Sequence, residues 1–111
     1  MSYRRGDVLY GADPFKGEDD SRPWVVISND SHPFHGAQYI VLGLTTKTWH
    51  NGLRSIDDDD WLDGGTPEPS SIIPWSVETL EHADVDFWQG RLARPLIDDC
   101  VDILVDYLQA D

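Results

Sequence analysis

Two apolar runs decide the fold that the sequence predicts: RPWVVISND, residues 22–30, and QYIVLGLTT, residues 38–46. Each run is short, rich in β-branched residues and bounded by turn-forming residues, which indicates a buried strand. Pro23 stands at the beginning of the first run, where a missing N–H is tolerated. Because a polar segment, residues 30–37, joins the runs, we expect an antiparallel hairpin.

The hairpin has a predicted register. If its loop is symmetric, Val25 faces Leu42 and Arg22 faces Thr45. Opposite residues in an antiparallel pair have Cα atoms about 4.5–5.5 Å apart. The sequence therefore predicts a guanidinium beside a hydroxyl at the open end of an apolar hairpin.

The Arg22/Thr45 pair has a structural alternative. An arginine at a strand end is often satisfied by a nearby carboxylate, and Glu18 or Asp19 in the preceding polar segment would serve. Arrangement alone leaves both interpretations open.

The rest of the chain predicts a small, strongly bent sheet with a helix packed on it. Further short strands are predicted at residues 6–12, 53–57, 71–77 and 89–92, and residues 13–21 are predicted to be a polar loop. Pro74 requires an edge position or a bulge in its strand. A C-terminal helix is predicted over residues 95–108, with one apolar face: Leu96, Ile97, Cys100, Val101, Leu104 and Leu108.

Composition indicates one globular domain covering residues 1–111, with 40% hydrophobic residues and a net charge of −13. Such self-repulsion is unfavourable in dilute salt and largely screened at molar salt, so we expect adaptation to a very salty cytoplasm. The alternative is an acidic surface that binds a partner or mimics nucleic acid. Six of the eight basic residues lie in the first half, which leaves room for a local basic site.

Other candidate sites are weaker. His32 and His35 flank Pro33 and Phe34 within the hairpin loop and are more typical of exposed loop histidines than of metal ligands or a general base. The run Asp57–Asp60 is more typical of a solvated segment than of a cation site. Cys100 falls on the apolar face of the helix, which indicates a core residue. Trp24 and Trp75 are predicted to be core or interface residues. No signal peptide or membrane span is apparent, which favours a cytoplasmic protein.

The order of several short motifs carries a family resemblance. They are RGDV at 5–8, Pro14, RP at 22–23 with VVISND at 25–30, and IV at 40–41 leading to LTTK at 44–47. Looser matches follow in SII at 71–73 and GRL at 90–92. In this order and spacing the chain resembles the MazF/PemK family of toxin endoribonucleases (mRNA interferases), in a divergent form.

The resemblance implies a mainly β fold with one α-helix, a small SH3-like barrel followed by a C-terminal helix. It also implies a homodimer that cleaves single-stranded RNA without a metal or cofactor, and a cognate antitoxin peptide that blocks the groove. The catalytic residues would be Arg22 and Thr45, with Thr46 as the alternative threonine. Because arginine stays protonated, Glu18 is the candidate acceptor of the 2′-OH proton. The candidate RNA contacts are Phe15, Lys16, Thr46 and Lys47.

The chain also departs from the family pattern. The loop before Arg22 is shorter than usual, and PWSVET, residues 74–79, replaces an acid–Gln pair and a following basic residue. These changes bear on RNA sequence recognition. Two rival functions therefore stay open: a non-catalytic barrel that binds a protein target, as gyrase-poisoning toxins of this fold do, or a peptide-binding SH3-like adapter.

Overall fold

Seven strands form one strongly curled antiparallel sheet, a half-barrel, in the computed structural model of this protein. The structure describes residues 2–14 and 16–110, without the side chains of residues 17–19. The strands are β1 (Asp7–Asp13), β2 (Gly17–Val26), β3 (Gln38–Thr45), β4 (Arg54–Ser55), β5 (Trp61–Gly64), β6 (Ser71–Glu81) and β7 (Val85–Leu92), in the spatial order β4-β6-β3-β2-β1-β7-β5. One helix, α1 (Arg94–Leu108), follows. The predicted fold class is confirmed.

The central hairpin has the predicted register. Val25 pairs with Leu42 and Trp24 with Gly43, and the amide of Ile27 donates a hydrogen bond to the carbonyl of Ile40 at 2.9 Å. The pairing of β2 with β3 ends at Trp24 and Gly43; extending its register by two residues would place Arg22 opposite Thr45.

The two faces of the sheet carry separate apolar clusters because successive strand residues point to opposite faces. One cluster lies between the sheet and α1, and it includes Val25, Leu42 and Leu44 of the sheet and Leu96 and Ile97 of the helix. The other face carries a cluster of Leu9, Trp24, Val26, Tyr39, Val41 and Leu80. By the same alternation, Arg22 and Thr45 belong to the second face, away from the helix.

Three strands extend several residues beyond their predicted ranges: β2 and β7 at their starts, and β6 at its end, Glu81. Residues 13–21 do not form a long loop, because β1 ends at Asp13 and β2 already begins at Gly17. In β2, Gly17 pairs with Asp13 of β1 and Ser21 pairs with Ala12. These pairings outweigh the poor strand propensity of glycine and aspartate. Likewise, β7 begins at Val85 rather than at residue 89, since it pairs along β1.

Pro74 lies in a bulge, as one of the two predicted alternatives required. Along β3 the partner jumps from Val77 opposite Leu42 to Ile72 opposite Leu44, so residues 73–76 of β6 stand outside the regular ladder. The bulge explains how an 11-residue strand accommodates a proline.

The core prediction is wrong for Leu108, and of the two alternatives predicted for Trp75, core or interface, the structure excludes the core. Trp24 is buried and α1 begins within one residue of its predicted start. Leu108, in the last helical turn, is 74% exposed, and Trp75, on the bulge, is 38% exposed, so neither belongs to the core. Trp75 instead meets Trp49 and Tyr107 in an edge-on aromatic cluster at the surface.

The acidic run is a solvent-facing turn and not a metal site. Asp58–Asp60 form a single 3₁₀ turn, closed by a hydrogen bond from the amide of Asp57 to the carboxylate of Asp60 at 2.8 Å. Within the described residues, no group of three histidine, cysteine or acidic side chains could hold a metal ion. Across residues 2–14 and 16–110, no helix has the length and apolarity needed to cross a membrane.

Cys100 is fully buried between α1 and the sheet, and burial raises the pKa of its thiol to about 11. This pKa includes smaller effects of neighbouring charges: Arg54 lowers it, and Asp99 and Asp60 raise it. Because the folded pKa lies above the unfolded value of 9.0, the stabilisation is present below pH 9 and is lost as pH rises toward 11.

We expect the free energy of unfolding to fall by about 3 kcal/mol between pH 9 and pH 11, since one pKa unit corresponds to about 1.4 kcal/mol. Urea unfolding at several pH values measures this. A Cys100→Ala variant should lack most of that slope, and an unchanged slope in the variant would contradict the assignment to Cys100.

Candidate active site

Arg22 is held where β1, β2 and β3 meet on the sheet face opposite the helix. Its Cζ lies 5.2 Å from the ring centroid of Trp24, and its Nη2 donates to the carbonyl of Leu44. Its Nη1 lies 3.9 Å from Oδ2 of buried Asp13, at the outer limit of an ion pair. The side chain is 25% exposed, so the guanidinium is oriented by contacts from three strands and still reaches solvent.

Gly43 makes room for this guanidinium. A Cβ at position 43 would lie 3.2 Å from Nη2 of Arg22 and 3.2 Å from Oγ of Ser76. That is closer than ordinary van der Waals contact, so any side chain there would displace one of the two groups. The absence of a side chain therefore brings a hydroxyl of β6 close to the guanidinium of β2.

One donor of Arg22 has no partner in the described structure. Its Nε is buried and has no hydrogen-bond acceptor among the residues that the structure describes. An unsatisfied buried N–H is unfavourable by about 1–3 kcal/mol. The side chain as a whole is 25% exposed, so a phosphoryl group arriving from solvent would meet the exposed part of the guanidinium, whose planar donors match phosphate oxygens.

Thr45 ends β3 and lies on the same face of the sheet as Arg22. The carbonyl that accepts from Arg22 belongs to Leu44, the residue directly before Thr45. Thr45 is half-buried, and its Oγ1 accepts a hydrogen bond from the amide of Lys47 at 3.1 Å. The hydroxyl proton can therefore be donated elsewhere, while Thr46 and Lys47 are exposed just beyond the strand end.

The other predicted site residues come from the connection between β1 and β2. Lys16 is exposed, and its amide donates to the carbonyl of Asp13 at 3.2 Å. Phe15 and the side chain of Glu18 lie outside the described residues, so their predicted roles stay predictions.

Three residues of this site were missed by the sequence analysis: Asp13, Ser76 and Glu78. Asp13 and Glu78 line, with Trp24 and Leu80, a cavity of about 470 Å³ beside the arginine. The alternation of β1 could have placed Asp13 on this face, since Gly11 pairs with Arg22. Ser76 and Glu78 carried no such signal, because the bulge in β6 sets their register. Among the described side chains, Asp13 is the acid that forms an ion pair with Arg22; the side chains of Glu18 and Asp19, its predicted structural partners, lie outside the described residues.

The histidines are remote from this site. His32 and His35 lie in the segment between β2 and β3, at the closed end of the hairpin, whereas Arg22 and Thr45 lie at its open end. In the described part of the chain they belong to no metal-binding group.

Comparison with solved structures supports the same fold. A mycobacterial endoribonuclease matches with a TM-score of 0.74 and 19% identity, covering 97% of this chain and 92% of that one. A mycobacterial endoribonuclease in complex with its cognate antitoxin matches with a TM-score of 0.67 and 19% identity, covering 96% and 91%. The Mycobacterium tuberculosis toxin MazF-mt6 matches with a TM-score of 0.69 and 16% identity, covering 95% and 98%.

These likenesses span nearly the full length of each chain, so this protein has the fold of MazF-type toxins. At the level of sequence, no protein-family model and no curated relative matches the chain.

Proposed function

We propose that this chain is a toxin-type endoribonuclease of the MazF/PemK kind, which cleaves single-stranded RNA at short sequences and belongs to a toxin–antitoxin system. The observation that carries the proposal is the Arg22 guanidinium, which is held by three strands, reaches solvent and keeps its Nε without a partner in the described structure. The solved structures of the same fold are endoribonucleases, which supports this activity.

The proposed reaction is an internal transfer at phosphorus. The 2′-oxygen of one ribose attacks the adjacent phosphorus, the bond from phosphorus to the 5′-oxygen breaks, and the products are a 2′,3′-cyclic phosphate and a 5′-OH end. The 2′-OH loses its proton to a base, and the departing 5′-oxygen gains one. No metal ion is required by this scheme.

Arg22 would act on the charge that grows on the phosphoryl oxygens. A bidentate guanidinium binds two of these oxygens and stabilises them most when their charge is highest, in the transition state. Thr45, whose Oγ1 already accepts from Lys47, would donate its hydroxyl proton to the same oxygens. Glu18 is the proposed base, because a guanidinium remains protonated.

The surroundings of Arg22 suggest weak general attraction for RNA. Asp13 places a carboxylate 3.9 Å from the guanidinium, Glu78 lines the neighbouring cavity, and the segment 74–79 lacks the basic residue that the family resemblance implies. Affinity would then depend on contacts to the bases and ribose more than on phosphate charge. The proposed RNA contacts are Phe15, Lys16, Thr46 and Lys47.

The proposed assembly is a cytoplasmic homodimer whose RNA groove is blocked by a cognate antitoxin peptide. The antitoxin complex of a solved endoribonuclease of this fold supports the second part.

The experiment that tests the function is end analysis of a single-stranded RNA incubated with purified protein in molar KCl and EDTA. We expect fragments with 2′,3′-cyclic phosphate and 5′-OH ends, detected because the 5′ ends accept radioactive phosphate from a kinase without prior dephosphorylation. Intact RNA, together with growth arrest on expression in cells, would instead favour the non-catalytic barrel that binds a protein target. Intact RNA without arrest would favour the peptide-binding adapter.

A further inference from the structure

A second cavity, of about 540 Å³, gathers half of the basic residues of this acidic protein. It lies among the start of β1, the segment between β2 and β3, the end of β7 and the start of α1. Its charged lining consists of four arginines and two aspartates: Arg4, Arg5, Arg91, Arg94, Asp30 and Asp98. The lining therefore has a formal charge of +2 in a chain whose net charge is −13.

Two of the four guanidinium groups are held in place by carboxylates. Arg91 Nε lies 2.9 Å from Oδ1 of Asp7, whose side chain is only 3% exposed. Arg5 Nη2 lies 2.7 Å from Oδ1 of Asp98. An arginine oriented in this way loses less side-chain entropy when it binds an anion.

The other two arginines are more available. Arg94 is 89% exposed, and its Nε makes a long ion pair, at 3.6 Å, with Oδ2 of the same Asp98. Arg4 is exposed, and its guanidinium has no ion pair with any carboxylate that the structure describes. These two side chains can close on a ligand without giving up a buried partner.

The remaining lining is suited to a small organic ligand rather than to a bare ion. Leu62, Leu92 and Ile97 contribute apolar surface, and the volume lies in the range of about 300–1,000 Å³ that small-molecule sites occupy. His35 also lines the cavity, and its Nδ1 is buried without a hydrogen-bond partner among the described residues.

This cavity is distinct from the Arg22 site. It lies at the Gly6 end of β1, next to the helix, whereas Arg22 pairs with Gly11 and lies on the sheet face away from the helix. The two sites share no lining residue. The inference below therefore does not depend on the proposed nuclease activity.

We propose that the four-arginine cavity binds a small phosphorylated metabolite of about nucleotide size, with its phosphate on the arginines and its organic part against Leu62 and Ile97. The chemistry follows from the guanidinium groups, whose planar donors match phosphate oxygens two at a time. A long polyanion such as RNA is less favoured, since the surface beyond the cavity is strongly acidic.

Calorimetric titration of the full chain in 0.1 M KCl tests this, with AMP, inorganic phosphate and adenosine as probes. We expect AMP to bind more tightly than phosphate, and adenosine not to bind. Arg4→Gln and Arg94→Gln should each weaken AMP binding about tenfold, since a hydrogen bond to a charged group has about that effect on a dissociation constant. Arg54→Gln, which removes the same charge outside the cavity, should leave AMP binding within about twofold.

Arg22→Ala should also leave AMP binding unchanged, which separates this site from the candidate active site. The proposal is overturned if AMP fails to bind at millimolar concentration or binds equally well to an Arg4→Gln/Arg94→Gln double variant. Loss of AMP binding in Arg22→Ala would likewise overturn it, and so would cavity-dependent binding of an RNA oligonucleotide without binding of AMP.

Discussion

Arg22→Ala is expected to lower the rate constant for RNA cleavage by about 10²–10³, the effect of removing one preorganised donor from a site where charge develops. The corresponding increase in the barrier is about 2.7–4 kcal/mol. The reason lies in the geometry: the guanidinium is oriented by Trp24, Leu44 and Asp13, and the side chain stays 25% exposed to an incoming phosphate. Single-turnover cleavage of a short RNA, with enzyme in excess, measures this constant directly.

Arg22→Lys should recover only a small part of the lost rate, because an ammonium cannot bind two phosphoryl oxygens along one planar edge. The matched control is Arg54→Ala, which removes one positive charge at an exposed ion pair with Asp99. Full activity in Arg22→Ala, with a native circular dichroism spectrum, would show that Arg22 is a structural arginine and would remove it from the mechanism.

The second large effect is expected from salt. We expect the free energy of unfolding to rise by several kcal/mol between 0.1 M and 3 M KCl, a large part of the roughly 5–15 kcal/mol typical of a domain. There are 21 acidic and 8 basic residues, and like charges 4 Å apart repel by about 1 kcal/mol in water. The screening length falls from about 10 Å at 0.1 M to about 3 Å at 1 M, which removes most of this repulsion.

Urea unfolding at several KCl concentrations tests the salt effect, and the 3₁₀ turn provides the variant. Asp58 and Asp59 are exposed in that turn, so Asp58→Asn/Asp59→Asn should stabilise the protein in 0.1 M KCl and change little in 3 M KCl. If salt acted only by strengthening apolar burial, the variant and the parent would have the same salt slope. A stability that is flat or falling with salt would contradict the salt-adapted interpretation.

The fold was largely predictable because its main signals are local. The alternating and continuous apolar runs indicated β2, β3 and their pairing, and the 3.6-residue period indicated α1 within one residue of its observed start. The errors arose where tertiary pairing outweighed local propensity. Gly17 and its acidic neighbours became strand because β1 lies beside them, and β7 began at Val85 rather than at residue 89 because it pairs along β1.

The candidate active site was predictable only in part. Arg22 and Thr45 could be placed together because both lie on one hairpin, whose register follows from the apolar pattern. Ser76 and Glu78 reach the same place from β6 through a bulge, and the position of that bulge depends on the whole sheet.

From its own residues, then, the chain determined a mainly β domain, the central hairpin and its register, the C-terminal helix and the strongly acidic charge. The tertiary structure alone decided which distant groups meet: Asp13 and Ser76 with Arg22, and Arg4 and Arg5 with Arg91 and Arg94. The latter four meet because β1 pairs with β7, so that Asp7 lies opposite Arg91. Side-chain periodicity is a property of a few neighbouring residues, whereas such meetings depend on how the sheet closes on itself.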